Sequence, residues 1–84
     1  MDNLVKSEYK DGSRYIEIKR KYANEDGEEF DVMVVKDKDG VRMAIATQDD
    51  FYCNNTIEEI KTLRNNIDLA IKIANNFEKY WNRI

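Results

Sequence analysis

The chain has 84 residues, of which 42% are hydrophobic and 37% are charged, and it contains no proline. Because this is shorter than the roughly 100–200 residues usual for a domain, we expect one domain over residues 1–84 with a small core. The chain has no histidine and one cysteine, Cys53, which excludes imidazole-based catalysis, an internal disulfide and a cysteine-cluster zinc site. We therefore expect no enzyme, no cofactor and no metal site.

The sequence also indicates a compartment. No apolar run approaches the ~18 residues of a membrane span, and the first ten residues are polar, unlike a secretory signal. A single cysteine is typical of proteins in reducing compartments. We expect a cytoplasmic protein without membrane contact. Its net charge of −3 is mildly unfavourable for general nucleic-acid binding.

Three Asp-Gly pairs predict the turns of a four-stranded antiparallel meander over about residues 3–50. They are Asp11-Gly12, Asp26-Gly27 and Asp39-Gly40. Glycine suits such turns because it adopts positive φ without a steric penalty. A two-residue turn at Asp11-Gly12 would direct Val5 and Tyr9 inward.

The alternation of apolar residues predicts the inward face of the other three strands. A three-residue loop, Glu25–Gly27, would pair Tyr22 with Phe30 and Ile18 with Val34. A two-residue turn, Asp39-Gly40, would pair Val34 with Ile45. The predicted inward residues are Ile16, Ile18, Tyr22, Phe30, Val32, Val34, Val41, Met43 and Ile45.

The last third of the chain has a helical period. Thr56 and Glu59 are spaced as a capping box, and an apolar stripe recurs every three or four residues from Ile57 to Trp81. We predict one long helix over about 56–83 that covers one sheet face, giving a β-β-β-β-α fold of the α+β class. Asn65-Asn66 and Asn75-Asn76 are weak candidates for a break, because asparagine disfavours helix less than proline or glycine.

Three short features resemble chemical sites and are better explained structurally. Asp37–Gly40 is similar to the start of a calcium loop but lacks the third acidic residue and the closing glutamate. Asp49-Asp50 is typical of solvated or capping residues before a helix, and Cys53 has no histidine base. These features support the expectation that the chain is not an enzyme.

Acidic residues concentrate at one end of the predicted sheet. Two interpretations remain open: an ordinary solubilising charge distribution, or an electrostatic docking surface for a larger protein with a basic surface. The predicted acidic end consists of Glu25, Asp26, Glu28, Glu29, Asp31, Asp49 and Asp50. Basic residues gather at the opposite end, namely Lys10, Arg14, Lys36, Lys38 and Arg42.

A second row of apolar helix residues lies beside the main stripe. It widens the apolar arc to roughly 200°, where one sheet needs little more than 100°. We predict that this row contacts a second copy or another partner; contact with the sheet edge or the first strand is the alternative. The row consists of Leu69, Ile73, Tyr80 and Ile84.

In architecture the chain resembles two groups of proteins, although neither resemblance extends to a residue signature. One is the small acidic phage-encoded inhibitors, including anti-CRISPR proteins, and this resemblance implies an inhibitor or regulator that blocks a basic, nucleic-acid-binding surface. The other is the single-strand-binding transcriptional coactivators, which implies a dimeric nucleic-acid-binding module. We favour the first group. Single-strand binders combine a positive groove with stacking aromatic residues, whereas this chain is acidic overall and the outer face of its predicted sheet carries mixed charges.

Overall fold

The fold is a four-stranded antiparallel sheet followed by two helices. The computed structural model describes residues 3–23, 29–47 and 56–84, with side chains described at 3–19, 31–46 and 56–84. Neighbouring strands in the sheet follow chain order, which confirms the predicted α+β meander. The elements are β1 (Leu4–Glu8), β2 (Arg14–Ala23), β3 (Glu29–Asp37), β4 (Gly40–Thr47), α1 (Ile57–Asn75) and α2 (Phe77–Arg83).

The predicted pairing of β2 with β3 is correct at one end of the strands and differs by two residues at the other. Tyr22 pairs with Phe30 as predicted, but Ile18 pairs with Val32 rather than with Val34. The register shifts between Ile18 and Tyr22, where three residues of β2 face one residue of β3. An excess of two residues preserves the alternation, so the predicted faces are retained while the partners change.

The turn between β3 and β4 lies one residue earlier than predicted. Asp37 pairs with Gly40, so Lys38 and Asp39 form the two-residue turn, and Val34 pairs with Met43 rather than with Ile45. The Asp37 carboxylate stabilises this turn by accepting a hydrogen bond from the Asp39 N–H at 2.8 Å. The turn still has an even number of residues, so β4 presents the predicted face.

The β1–β2 turn corrects the prediction for the first strand. The Tyr9 N–H donates to the Ser13 carbonyl at 2.9 Å, which leaves three residues in the turn instead of two. Asp11 accepts hydrogen bonds from the Ser13 N–H at 2.9 Å and hydroxyl at 2.6 Å. The odd loop reverses the alternation. Leu4 is therefore buried, while Tyr9, predicted inward, is 57% exposed, and Val5 pairs with Glu17 on the outer face.

The helical region begins as predicted and ends as two helices. The Thr56 hydroxyl accepts from the Glu59 N–H at 3.1 Å, and the Glu59 carboxylate accepts from the Thr56 N–H at 2.7 Å, which confirms the capping box. The backbone leaves the helical region at Asn76, with φ −141° and ψ 45°, so the predicted helical region is divided there into two helices. Asn65-Asn66 lies within α1, and Asn66 is buried.

The core lies between the inner face of the sheet and the helices. Leucine and β-branched residues of β1, β2 and β3 pack against Ala70 and Ile73 of α1 and Phe77 of α2. The buried residues of the hydrophobic core are Leu4, Ile16, Ile18, Val32, Val34, Ala70, Ile73 and Phe77. Because α1 packs mainly on β2 and β3, the inner face of β4 is only partly covered.

Candidate interaction surfaces

The strand ends that border the predicted acidic end meet at one end of the sheet. Ala23 pairs with Glu29, and Phe30 pairs with Thr47, so the end of β2, the start of β3 and the end of β4 are neighbours. Five of the predicted carboxylates, those of Glu25, Asp26, Glu28, Asp49 and Asp50, lie outside the described residues. Glu29 is described by its backbone alone. The convergence of these carboxylates stays a prediction.

Asp31 is the one member of the acidic end with a described side chain. It lies on the outer face of β3 and is half-buried. Its Oδ1 atom is buried without a hydrogen-bond partner among the described residues. This buried oxygen is less accessible to a partner than an exposed carboxylate oxygen would be.

The basic residues of the opposite end are joined to acidic groups of the chain. Arg14 donates two hydrogen bonds to the Glu78 carboxylate, at 3.0 and 2.5 Å, and Lys36 donates a third at 2.9 Å. The bonds from Arg14 and then from Lys36 lower the pKa of Glu78 to about 2. Arg42 forms an ion pair with Asp37. Much of the positive charge at this end is therefore neutralised locally.

Aromatic rings of α2 also hold cations at this end. The Arg14 guanidinium lies 5.2 Å from the ring centroids of both Phe77 and Trp81. The Lys6 ammonium lies 4.8 Å from the Trp81 centroid and donates to the Trp81 carbonyl at 3.2 Å. Such cation–π contacts attract a cation to the ring face and fix α2 against β1 and β2.

The predicted outward row of the helix does not face solvent. Ile73 is completely buried in the core, and Leu69, Tyr80 and Ile84 are partly buried against it. The predicted contact with a partner is therefore wrong for Ile73, which packs within the chain. The physical reason is the orientation of α1 about its own axis. Compared with the predicted orientation, α1 is rotated so that Asn66, Ala70 and Ile73 face the sheet. A contact of Leu69, Tyr80 and Ile84 with a partner stays a prediction.

The rotation exposes other apolar residues instead. Ile57 is 71% exposed, and Ile60 and Ile71 are each 45% exposed on α1. On the inner face of β4, Val41 is 37%, Met43 is 36% and Ile45 is 49% exposed. We call Val41, Met43 and Ile45 the β4 row. The alternation of β4 predicts the face of this row correctly. The row is less buried than predicted, because alternation does not reveal how far a helix extends across a sheet.

An open groove lies where the β4 row meets the junction of the helices. Its volume is about 410 Å³, and Lys36, Val41 and residues 74–79 line it. Among the described residues, no three histidine, cysteine, aspartate or glutamate side chains are grouped as metal ligands. Cys53 lies outside the described part of the chain.

Two further observations concern the chain as a whole. No helix in the described ranges combines the length and the apolarity needed to cross a membrane. Comparison with protein-family models, with curated proteins and with solved structures found no match to this chain.

Proposed function

We propose that this chain is a small protein-interaction module that presents its acidic end to a basic, nucleic-acid-binding surface of a larger protein. The observation that carries this proposal is that the ends of β2, β3 and β4 that border the acidic stretches of the sequence are neighbours in the sheet. The acidic stretches of the sequence continue from the neighbouring ends of β2, β3 and β4. The basic residues lie around the β1–β2 and β3–β4 turns, where Glu78 and Asp37 pair with them.

Local ion pairs neutralise part of the basic end. Arg14, Lys36 and Arg42 are each held by a carboxylate of the same chain. By contrast, residues 25–31 contain five acidic residues and no basic one. A concentrated charge of one sign steers an oppositely charged partner and mainly raises the association rate. This behaviour suits a cytoplasmic inhibitor or regulator of the phage-encoded type, which competes with nucleic acid for a basic groove.

The test compares two variants with the same change in net charge. The first replaces Glu25, Asp26, Glu28 and Asp49 with the corresponding amides. The control makes the same replacement at four exposed acidic residues elsewhere, Glu8, Asp39, Glu58 and Asp68. Partners captured from the host lysate on the wild-type chain are identified by mass spectrometry and purified. Association rates with the purified partner are then measured over a range of salt concentrations.

We expect the first variant to associate about tenfold more slowly than the control and with a flatter salt dependence. Both variants should melt close to the wild-type temperature, because exposed charges contribute little to stability. Association of the first variant at the wild-type rate would contradict the proposal. Tight binding of single-stranded DNA by the chain alone, at physiological salt, would contradict it as well.

A dimeric single-stranded nucleic-acid-binding module is the second candidate. One specific observation favours it: the rings of Tyr9 and Tyr15 lie edge to face at 4.9 Å on the outer side of the sheet. Tyr15 shares a cross-strand row with Val35 and Arg42. Aromatic rings beside cations can stack on bases. Salt-titrated binding of single-stranded DNA and RNA tests this function, and Tyr9→Ala should weaken any binding seen.

A further inference from the structure

β4 is an edge strand of the sheet formed by the described residues. Among the described strands, β4 pairs with β3 alone. Asp37 and Gly40 close a two-residue turn and therefore exchange backbone hydrogen bonds. In an antiparallel ladder the hydrogen-bonded pairs alternate, so the even-numbered residues of β4 bond to β3. The N–H and C=O groups of Val41, Met43 and Ile45 consequently point away from the sheet.

This edge lacks the features that usually protect an edge strand. Its register with β3 is continuous without a bulge, it contains no proline, and Arg42 is its one charged residue. The other edge strand, β1, carries Lys6 and Glu8 within five residues. Lys6 also reaches Trp81 of α2. Charges, bulges and covering elements normally prevent edge strands from pairing with other chains. By these criteria the β4 edge is less protected against pairing than the β1 edge.

We propose that the β4 edge pairs in antiparallel orientation with the β4 edge of a second copy of this chain. A two-fold axis at Met43 places Met43 opposite Met43 of the second copy. The same register places Val41 opposite Ile45, so the two β4 rows match along their full length. Opposed apolar side chains on neighbouring strands stabilise such a pair. An isologous contact of this kind requires a self-complementary surface, which the row provides.

The position of charge disfavours one neighbouring register of the two copies. With the axis at Met43, Arg42 lies opposite Ala44. A shift that moves the axis to Arg42 would oppose two guanidinium groups, and like charges directly opposite one another are destabilising.

The test combines the oligomeric state with site-specific cross-linking. The wild-type chain should sediment at twice its mass of 10.0 kDa at about 100 μM, where a micromolar contact is saturated. Met43→Lys places two ammonium groups opposite one another and should raise the dissociation constant at least about tenfold. Met43→Leu is the matched control and should remain dimeric. Circular dichroism and thermal melting verify that each variant is folded.

Cross-linking tests the register without relying on the stability of the lysine variant. In a Cys53→Ser background, Met43→Cys should form a disulfide-linked dimer with oxidised glutathione, since directly paired strand residues lie about 5.5 Å apart. Ala44→Cys is the control. In this register it lies beyond the reach of its counterpart and should remain uncross-linked. A wild-type monomer, a folded Met43→Lys dimer or equal cross-linking of both cysteine variants would each overturn the proposal.

Discussion

Arg14 and Glu78 are separated by 64 positions in the sequence and are joined by two hydrogen bonds, at 3.0 and 2.5 Å. The contact ties β2 to α2, and Lys36 adds a bond from β3 to the same carboxylate at 2.9 Å. Phe77, the first residue of α2, is buried in the core directly beside this ion pair. The seven-residue α2 is therefore fixed to the sheet by one apolar anchor and one charged anchor.

The Glu78 carboxylate makes folding stability depend on pH. Its pKa is lowered from 4.5 to about 2 by hydrogen bonds from Arg14 and Lys36. A lowered pKa means that the folded state binds the proton less tightly than the unfolded state does. The stabilisation is therefore fully present above pH 4.5 and is lost as the pH falls toward 2. We expect the melting-temperature difference between wild type and Glu78→Gln to be constant above pH 5 and to vanish near pH 2.

A double-mutant cycle separates this contact from general charge effects. Above pH 5, Arg14→Gln combined with Glu78→Gln should destabilise the domain less than the sum of the single changes. Added salt should reduce the coupling, because Glu78 is exposed and its ion pairs are screened. Additive changes in melting temperature at neutral pH would show that the ion pair of Arg14 and Glu78 makes no measurable contribution to stability.

The orientation of α1 predicts stability effects of very different size at two nearby isoleucines. Ile73 is completely buried, whereas Ile71 is 45% exposed. We expect Ile73→Ala to lower the free energy of unfolding by about 2–4 kcal/mol, because it leaves a cavity in the core. Ile71→Ala should change it by less than about 0.5 kcal/mol. Urea unfolding measures both values.

The loss expected for Ile73→Ala is large for a domain of this size, whose total free energy of unfolding is on the order of 5 kcal/mol. Ile73→Val, at about 1 kcal/mol, keeps the comparison measurable if the alanine variant is unfolded. If the Ile71 variant were the less stable one, the burial assigned to the two faces of α1 would be reversed.

The capping box makes Thr56 more important to stability than its exposure suggests. Its hydroxyl accepts the Glu59 N–H, which has no partner within the helix. Thr56→Ala should therefore cost about 1 kcal/mol in the free energy of unfolding. Thr56→Ser should retain most of the stability, because serine supplies the same acceptor.

Thr62→Ala is the matched control for the cap. Thr62 is also exposed, and its hydroxyl donates to the Glu58 carbonyl at 3.1 Å within the helix. Alanine is the better helix former, so this change should be neutral or slightly stabilising. Equal destabilisation by the two alanine variants, in the same urea experiment, would contradict a specific role for the cap.

Local sequence determined the order of elements and the faces of three strands. The Asp-Gly pairs marked the turn regions, and Thr56 with Glu59 marked the start of α1, because these signals act within a few residues. Alternation has a period of two, so it assigns faces and cannot detect a register error of two residues. That is why Ile18 was assigned the wrong partner on the correct face. The β1–β2 turn has an odd number of residues, so the face assigned to β1 was wrong.

Only the tertiary structure decided which apolar surfaces remained exposed. The apolar arc of α1 is wide enough for several rotations about its axis, and the sheet selected the one that buries Ile73. The same docking places α1 over β2 and β3, so Met43 and its neighbours in the β4 row are partly exposed although their pattern is that of a core strand. Sequence periodicity reports whether a residue belongs to an apolar face. How much of that face is covered depends on the position of an element far away in the chain.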